Sequence, residues 1–336
     1  MKSFKTYIIA EAGINHNGDI NKAFKMIDIA KKAEADAVKF QIFIPEAVVT
    51  SNANMAKYAI KNMRTKKKQL DVIKKYFLSN SEHIKLMKYC KKKKIKYLCS
   101  AFDIKSLKFL NKKKIGTFKI PSGEITNYPY LKLLGSFRKK IILSTGMSHK
   151  GEIKTALKIL IMNGSKKKNI TLLHCHTDYP TNPRDVNLLA MKELERIFNI
   201  KVGLSDHTLG TDIPVAAVAL GAKVIEKHFT LNRKFKGPDH KASLLPNELI
   251  DLVKSIRKIE LSLGKKEKLA TKREKQNLNI ARKSIVAKNN IYKGEIFNEH
   301  NITTKRPGTG ISAINWNKVI GKKSKKNYKM DDLIKI

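Results

Sequence analysis

The sequence predicts a (β/α)₈ barrel followed by a small C-terminal domain, and three observations predict it. Short apolar runs recur eight times, helical spacing of apolar residues fills several of the gaps, and polar residues gather where the runs end. The runs cover residues 7–13, 37–41, 96–102, 117–123, 141–146, 170–177, 201–208 and 223–230. Most are separated by about 20–30 residues, the length of one strand plus one helix. Helical periodicity marks 21–35, 81–93, 153–162, 188–198 and 246–263. Eight such units with buried strands predict a parallel barrel. The gap after the second run is longer, and residues 45 to 80 read as an insertion in a strand-to-helix loop.

After Leu263 the character changes. A charged, polar stretch follows, and a compact segment opens at Arg282, with turns at Lys293-Gly294 and Pro307-Gly308. The predicted organisation is a barrel over 1–265, a linker over 266–281 and a tail domain over 282–336. So short a tail is too small to be very stable alone.

Composition sets limits on function. Hydrophobic residues make up 42%, enough for a sizeable core. No uninterrupted apolar stretch reaches the roughly 18 residues of a membrane span. The run Tyr7-Ile8-Ile9-Ala10 is too short for a signal-peptide core, so a cytoplasmic location is expected. Cys90, Cys99 and Cys175 are odd in number and widely spaced, which suits neither a disulfide framework nor a zinc site. Cys99 and Cys175 read as small buried hydrophobes. The net charge of +42 suggests nucleic acid, but the basic residues are mostly lysine, with nine arginines, and are spread along the chain. Arginine is the better donor for bidentate phosphate and guanine contacts. No aromatics interleave with the lysine runs for base stacking. The charge reads as a solvated surface, and an RNA-binding protein is the remote alternative.

Barrels of this kind carry their chemistry at the C-terminal ends of the strands. Here those ends hold Glu11, Lys39, Ser100, Lys119, Ser122, Ser144, Thr177, Ser205, His207 and His228. A purely structural barrel has no need of so many reactive groups on one rim. Ser100, Ser122, Ser144, Thr177 and Ser205 beside Lys39 and Lys119 make a phosphate cradle. Any one of these hydroxyls alone would equally be a helix N-cap. His207 and His228 end adjacent strands and can converge on one divalent ion. Read from residue types alone, a metal pair and a hydrogen-bonded rim stand level. His174 and His176 share a face of their strand and read as cavity lining or its support. Glu11, Glu124, Asp206 and Asp239 are the acid candidates. Glu11 and Glu124 suit acid–base work or a sugar hydroxyl, and Asp206 suits orienting its loop. Glu226 and Lys227 read as a pair with each other. The Gly/Pro-marked loop Lys236-Gly-Pro-Asp-His240 is a candidate lid, and Arg306 is the tail's functional candidate.

Taken together, the motifs resemble one family. Ile9-Ala-Glu-Ala-Gly-Ile-Asn-His-Asn-Gly18, Val38-Lys-Phe-Gln41, Phe118-Lys-Ile-Pro-Ser-Gly-Glu124 and Leu143-Ser-Thr-Gly-Met147 look like the sialic acid synthases. So do Gly203-Leu-Ser-Asp-His-Thr208, Ile225-Glu-Lys-His-Phe-Thr230, Gly237-Pro-Asp-His240 and Lys305-Arg-Pro-Gly308. The resemblance spans nearly the whole chain, with the motifs in family order. That family includes N-acetylneuraminate synthase and the bacterial N,N′-diacetyllegionaminate and pseudaminate synthases.

The resemblance implies a TIM barrel followed by an antifreeze-like (SAF) domain, in a domain-swapped homodimer whose tail caps the partner's barrel. It implies condensation of phosphoenolpyruvate with an N-acylated mannosamine-type sugar and water, giving a nine-carbon acid and phosphate. Lys39, Ser100, Lys119, Ser122, Ser144, Thr177 and Ser205 fall at the phosphoenolpyruvate positions. Glu11 and Glu124 fall at the carboxylates near the acceptor, and Tyr179, Asp239 and Arg306 at sugar-binding positions. His207 and His228 match the ligands of a divalent metal, Mn²⁺ in first place, with Mg²⁺ or Co²⁺ as alternatives. The metal would polarise the sugar aldehyde.

This sequence departs from the family at two places. Ser100-Ala101-Phe102 stands where Thr-Pro-Phe is usual, and Thr177 stands where neuraminate synthases place a phosphate-contacting asparagine. The runs Asp178-Tyr179-Pro180, Gly237-Pro-Asp-His240 and Arg306-Pro-Gly-Thr-Gly310 look closer to the legionaminate branch. The acceptor, N-acetylmannosamine or 2,4-diacetamido-2,4,6-trideoxymannose, stays open. A pseudaminate synthase or another phosphoenolpyruvate-dependent barrel synthase or aldolase is the alternative.

Overall fold

In the computed structural model, residues 5–65 and 67–336 are described. The chain divides into two compact units, Met1–Gly264 and Lys265–Ile336. In the first, the elements run β1 (Tyr7–Gly13), α1 (Ile20–Lys32), β2 (Ala37–Ile42), α2 (Pro45–Val48), α3 (Lys57–Met63), α4 (Gln69–Ile73) and α5 (Asn80–Lys92). They continue β3 (Lys96–Ala101), α6 (Ile104–Lys112), β4 (Thr117–Ile120), α7 (Tyr128–Ser136), β5 (Lys140–Ser144), α8 (Lys150–Met162) and β6 (Ile170–Cys175). The unit closes with α9 (Ala190–Phe198), β7 (Lys201–Asp206), α10 (Asp212–Ala219), β8 (Val224–His228) and α11 (Pro246–Ser262).

The eight strands form a closed parallel barrel in chain order, with β1 paired to β8. Side chains alternate along each strand. The outward set, with Ile8, Ala10, Val38, Phe40, Leu143 and Ile225, packs under the helices as the main core. The inward set begins with Ile9, Ala37, Leu98, Ile142, Leu173 and Val224, a second apolar cluster that fills the barrel interior. Gly203 is required at its inward position, because a Cβ there would stand 2.2 Å from the Val224 carbonyl oxygen.

Helix starts are set by local chemistry. Asp19 caps α1, Asp103 caps α6, and Ser79 with Glu82 forms a reciprocal capping box on α5. The fourth predicted strand is shorter than expected: after Pro121 the chain turns into a 3₁₀ segment, Ser122–Glu124. The insertion between β2 and α5 holds α2, α3 and α4, and its residues Ala56, Tyr58, Ala59 and Val72 wall the barrel mouth.

The second unit has its own core of Ile285, Ala287, Ile291, Phe297, Ile302, Val319, Tyr328 and Ile334. Its strands β9 (Ser284–Ala287) and β10 (Ile302–Lys305) pair antiparallel. The stretch read as a linker carries two short helices, α12 (Lys272–Gln276) and α13 (Leu278–Ala281), the former started by a Thr271–Glu274 capping box. Among the described residues no helix is long and apolar enough to cross a membrane.

Candidate active site

Above the apolar plug, the inward positions turn polar and line a cavity of about 480 Å³, a size suited to small-molecule substrates. β1 brings Glu11, β2 Lys39 and Gln41, β3 Ser100, β4 Lys119, and β5 Ser144. β6 brings Cys175, β7 Ser205, and β8 both Glu226 and His228. Ser122, Thr177, Tyr179, His207 and Asp239 reach the same space from the strand-end loops.

Two buried ammoniums dominate the floor. Lys39 Nζ donates to Ser100 Oγ (3.0 Å) and lies 3.1 Å from Glu11 and 3.5 Å from Glu226. Lys119 Nζ donates to Ser144 Oγ (2.8 Å) and lies 3.4 Å from Glu226. Ser205 Oγ donates to the same Glu226 carboxylate at 2.9 Å. Ser122 Oγ accepts from Gly146 N at 3.0 Å. Gly146 has no room for a side chain, since a Cβ would meet Thr177 at 2.7 Å and Ser122 Oγ at 2.8 Å. The lysines, the serines and this backbone amide form a cationic, donor-rich cradle.

The electrostatics follow from burial and pairing. Burial favours neutral Glu226, but Lys119 and Lys39 outweigh it and hold its pKa below the usual carboxylate range. Burial pushes Glu11 above that range; Lys39 opposes the rise and Glu226 adds to it. Burial pulls Lys119 down, whereas Glu11 and Glu226 hold Lys39 above its ordinary value. One carboxylate is therefore firmly charged between two cations, and the other is poised to gain or lose a proton.

At the other side of the cavity the His207 and His228 rings stand 5.3 Å apart, centroid to centroid. His207 Nδ1 donates to the His176 carbonyl at 2.5 Å, which leaves its Nε2 for the cavity. His228 Nδ1, Glu11 Oε2 and Glu226 Oε2 are buried without a hydrogen-bond partner among the described residues. Orphaned buried groups in a cavity lining call for a ligand. Two converging imidazoles, kept neutral by burial, fit a divalent ion whose remaining positions are open to water and substrate. No group of three or more His, Cys, Asp or Glu side chains is arranged as a metal cage among the described residues.

Tyr179 covers this end, its ring 4.0 Å from that of His207 and 4.9 Å from that of Tyr58. Asn62 on α3 donates to the Tyr179 and Pro238 carbonyls (3.0 and 2.8 Å), tying the insertion to two strand-end loops. Asp239 Oδ2 lies 3.9 Å from His228 Nδ1, and burial raises its carboxyl pKa to about 7.

Other expected residues lie elsewhere. Glu124 is half-buried beside the lining residue Gly123 but is not in the lining, and Asn127 Nδ2 donates to it at 2.6 Å. Arg306, in the second unit, is exposed and its Nε donates to Ala281 O.

Two readings are corrected. Glu226 and Lys227 do not pair with each other: neighbours on a strand face opposite ways, so Glu226 enters the cavity and Lys227 meets Asp206 outside it. For the same reason His174 turns away from the cavity and binds the Val186 carbonyl, while Cys175 joins the lining. Glu226, Gln41, Tyr58 and Asn62 were missed as site residues. For Glu226 the signal was present, because it lies two residues before His228 on the same strand.

The family model described as "NeuB family" matches residues 26–268, and the SAF domain model matches residues 282–335. The chain is 52% identical to the N,N'-diacetyllegionaminic acid synthase of Campylobacter jejuni over 98% of this chain and 99% of the relative. It is 34% identical to the pseudaminic acid synthase of the same organism, over 98% and 96%. Among solved structures it resembles the N-acetylneuraminic acid (sialic acid) synthetase of Leptospira borgpetersenii serovar Hardjo-bovis in complex with citrate. That match has a TM-score of 0.72 and 34% identity, covering 81% of this chain and 90% of that one.

Proposed function

This chain belongs to the NeuB family, and we propose that it condenses phosphoenolpyruvate with an open-chain N-acylated mannosamine-type sugar, yielding a nine-carbon 2-keto acid and phosphate. The observation that carries the reading is the buried pair Lys39 and Lys119, ringed by Ser100, Ser144 and Ser205, facing His207 and His228 across one cavity. The cationic side suits a small phosphorylated carboxylate. The histidine side suits a carbonyl.

In this reading Lys39, Lys119, Ser100, Ser122, Ser144, Thr177 and Ser205 hold the phosphate and carboxylate of phosphoenolpyruvate. Tyr179 and Asp239 orient the acceptor, and Glu124 meets its hydroxyls at the rim. Arg306 closes the acceptor end in a partner copy, within a swapped homodimer. A divalent ion on His207 and His228, Mn²⁺ in our assignment, supplies Lewis-acid polarisation of the acceptor aldehyde when bound.

C3 of phosphoenolpyruvate forms the new bond to the aldehyde carbon, the aldehyde oxygen takes the carbonyl π pair and becomes the new hydroxyl on gaining a proton, and C2 becomes electron-poor. Glu226 and Glu11 supply negative charge beside that centre. Water adds at C2 and gives its proton to Glu11, whose raised pKa suits a general base near neutrality. The bond from C2 to the phosphate oxygen then breaks, phosphate leaves with that electron pair, and the C2 hydroxyl gives up its proton to become the ketone, so the two protons of the added water end on the new hydroxyl and on phosphate.

We assign 2,4-diacetamido-2,4,6-trideoxymannose as the acceptor. The higher identity to the named legionaminic acid synthase supports this, and so does the apolar wall of Met55, Ala56, Ala59 and Val72, which suits a deoxy carbon and acetyl methyls. The test is phosphate release from Mn²⁺, phosphoenolpyruvate and either this sugar or N-acetylmannosamine. Release with the first sugar alone is expected. Release with N-acetylmannosamine would reassign the acceptor, and no release with either from folded protein would overturn the reaction.

A further inference from the structure

We propose that the buried ion pair between Lys227 and Asp206, on the outer face of the barrel, is a positioning device that aims His207 and His228 at one another. The proposal rests on the reading that these two histidines hold a divalent cation.

β7 and β8 are neighbours, and their register sets Asp206 opposite Lys227. Strand alternation turns Ser205 and Glu226 into the cavity, sends Asp206 and Lys227 outward, and returns His207 and His228 to the inside. The outward pair is sealed from water: Lys227 is 1% and Asp206 2% exposed. Lys227 Nζ donates to Asp206 Oδ2 and to the Thr208 carbonyl, both at 2.5 Å. Asp206 accepts in turn from Thr208 N (3.1 Å) and Thr208 Oγ1 (2.9 Å). The residues on both sides of His207 are thus fastened to the side chain that immediately precedes His228.

His207 is held from the third side as well. Its carbonyl accepts from Thr181 N at 2.9 Å, and its Nδ1 donates to the His176 carbonyl. Backbone position and ring orientation are thus both held by protein groups. Stability alone does not account for a charged pair at this spot. Desolvating two charges offsets most of their attraction, and apolar residues of similar volume commonly do as well. A register role is the better-attested use of such pairs, and here the register is that of two strand ends whose last side chains must converge.

The experiment measures Mn²⁺ affinity of the full-length protein by electron paramagnetic resonance of the free ion, with phosphoenolpyruvate affinity measured separately without metal. Lys227→Met removes the charge and both hydrogen bonds of Nζ at similar volume. Asp206→Asn keeps the shape and the bond from Thr208 N, and carries the test should the first variant not fold. We expect both to weaken Mn²⁺ binding by roughly 10- to 100-fold, the range seen when the support of metal ligands is removed. Phosphoenolpyruvate affinity should stay at the wild-type value, and Lys227→Arg should recover part of the metal affinity. Folded variants that bind Mn²⁺ as the wild type does would overturn the proposal. So would an equal loss for both ligands, which would mark general loosening. A wild-type protein that takes up no Mn²⁺ would instead overturn the metal reading beneath it.

Discussion

Lys119 on β4 and Glu226 on β8 meet across the interior of the barrel, Nζ to Oε1 at 3.4 Å, although their strands are not neighbours in the sheet. Lys39 shares the same carboxylate at 3.5 Å. One carboxylate is therefore shared by two buried ammoniums, with Glu11 a second carboxylate beside Lys39 at 3.1 Å. An incoming phosphorylated carboxylate brings charge of the same sign and competes for the same cations.

Glu226→Gln should therefore act in two opposite directions. Removing one partner from a buried ionic group costs about 3–5 kcal/mol, so the substrate-free protein should unfold at lower temperature. Phosphoenolpyruvate should then raise the melting temperature of the variant by more than that of the wild type. Scanning calorimetry with and without phosphoenolpyruvate reads both effects, and equal shifts would show that Glu226 does not compete with the substrate.

His228→Ala should abolish metal-dependent turnover while leaving the fold intact. The side chain lines the cavity, and its Nδ1 makes no hydrogen bond among the described residues, with only the Asp239 carboxylate near it at 3.9 Å. Circular dichroism and an Mn²⁺ titration of phosphate release test this together. Retained metal-dependent turnover would remove His228 from the metal site.

Arg306→Ala should raise the acceptor KM and leave that for phosphoenolpyruvate unchanged. Loss of a hydrogen bond to a charged group, about 1.5–3 kcal/mol, corresponds to a rise of roughly 10- to 100-fold. The side chain is exposed and its Nε bonds only a backbone carbonyl in its own unit, so stability should barely change. An unchanged acceptor KM would refute the swapped cap.

The buried histidines should lower stability in acid: burial holds down His207, His228 and His240, and also His16 and His83, which lie outside the cavity lining. Burial holds His16 down to about 4 and His83 down to about 3, against about 6.5 in an unfolded chain. Above pH 6.5 both states are neutral and the contribution is complete. As pH falls from about 6.5 through about 4, the unfolded chain takes up protons that the folded one refuses, and stability is lost by up to about 1.4 kcal/mol per pH unit for each histidine. Carboxyls raised by burial, Glu11 and Asp239, act in the opposite direction. The comparison is thus the urea midpoint at pH 7 and pH 5 in wild type and His83→Gln. A shallower drop in the variant is expected, and identical slopes would exclude His83.

The eight strands were legible because each is an apolar run buried on both faces. Helices α6, α7 and α10 were not read. α10 in particular, Asp-Ile-Pro-Val-Ala-Ala-Val-Ala, is apolar almost all round and offers no period. The rim serines, lysines and histidines were legible because they close their runs. Glu226 was legible in the same way, two residues before His228 on one strand, but its neighbour Lys227 made the two look like an ion pair until strand geometry separated the two faces. Asn62 carried no signal, since its partners are carbonyls more than a hundred residues away.

By itself, the sequence determined the order of strands, the polar rim and the family, because those depend on local patterning and on motifs within single βα units. The tertiary structure decided which inward residues share a layer: Lys119 with Glu226 across the barrel, and Lys39 with Glu11 and Ser100. The physical reason is closure. Alternation tells which face a side chain takes, but strand tilt and stagger set its height in the barrel, and only height and face together bring two side chains into contact.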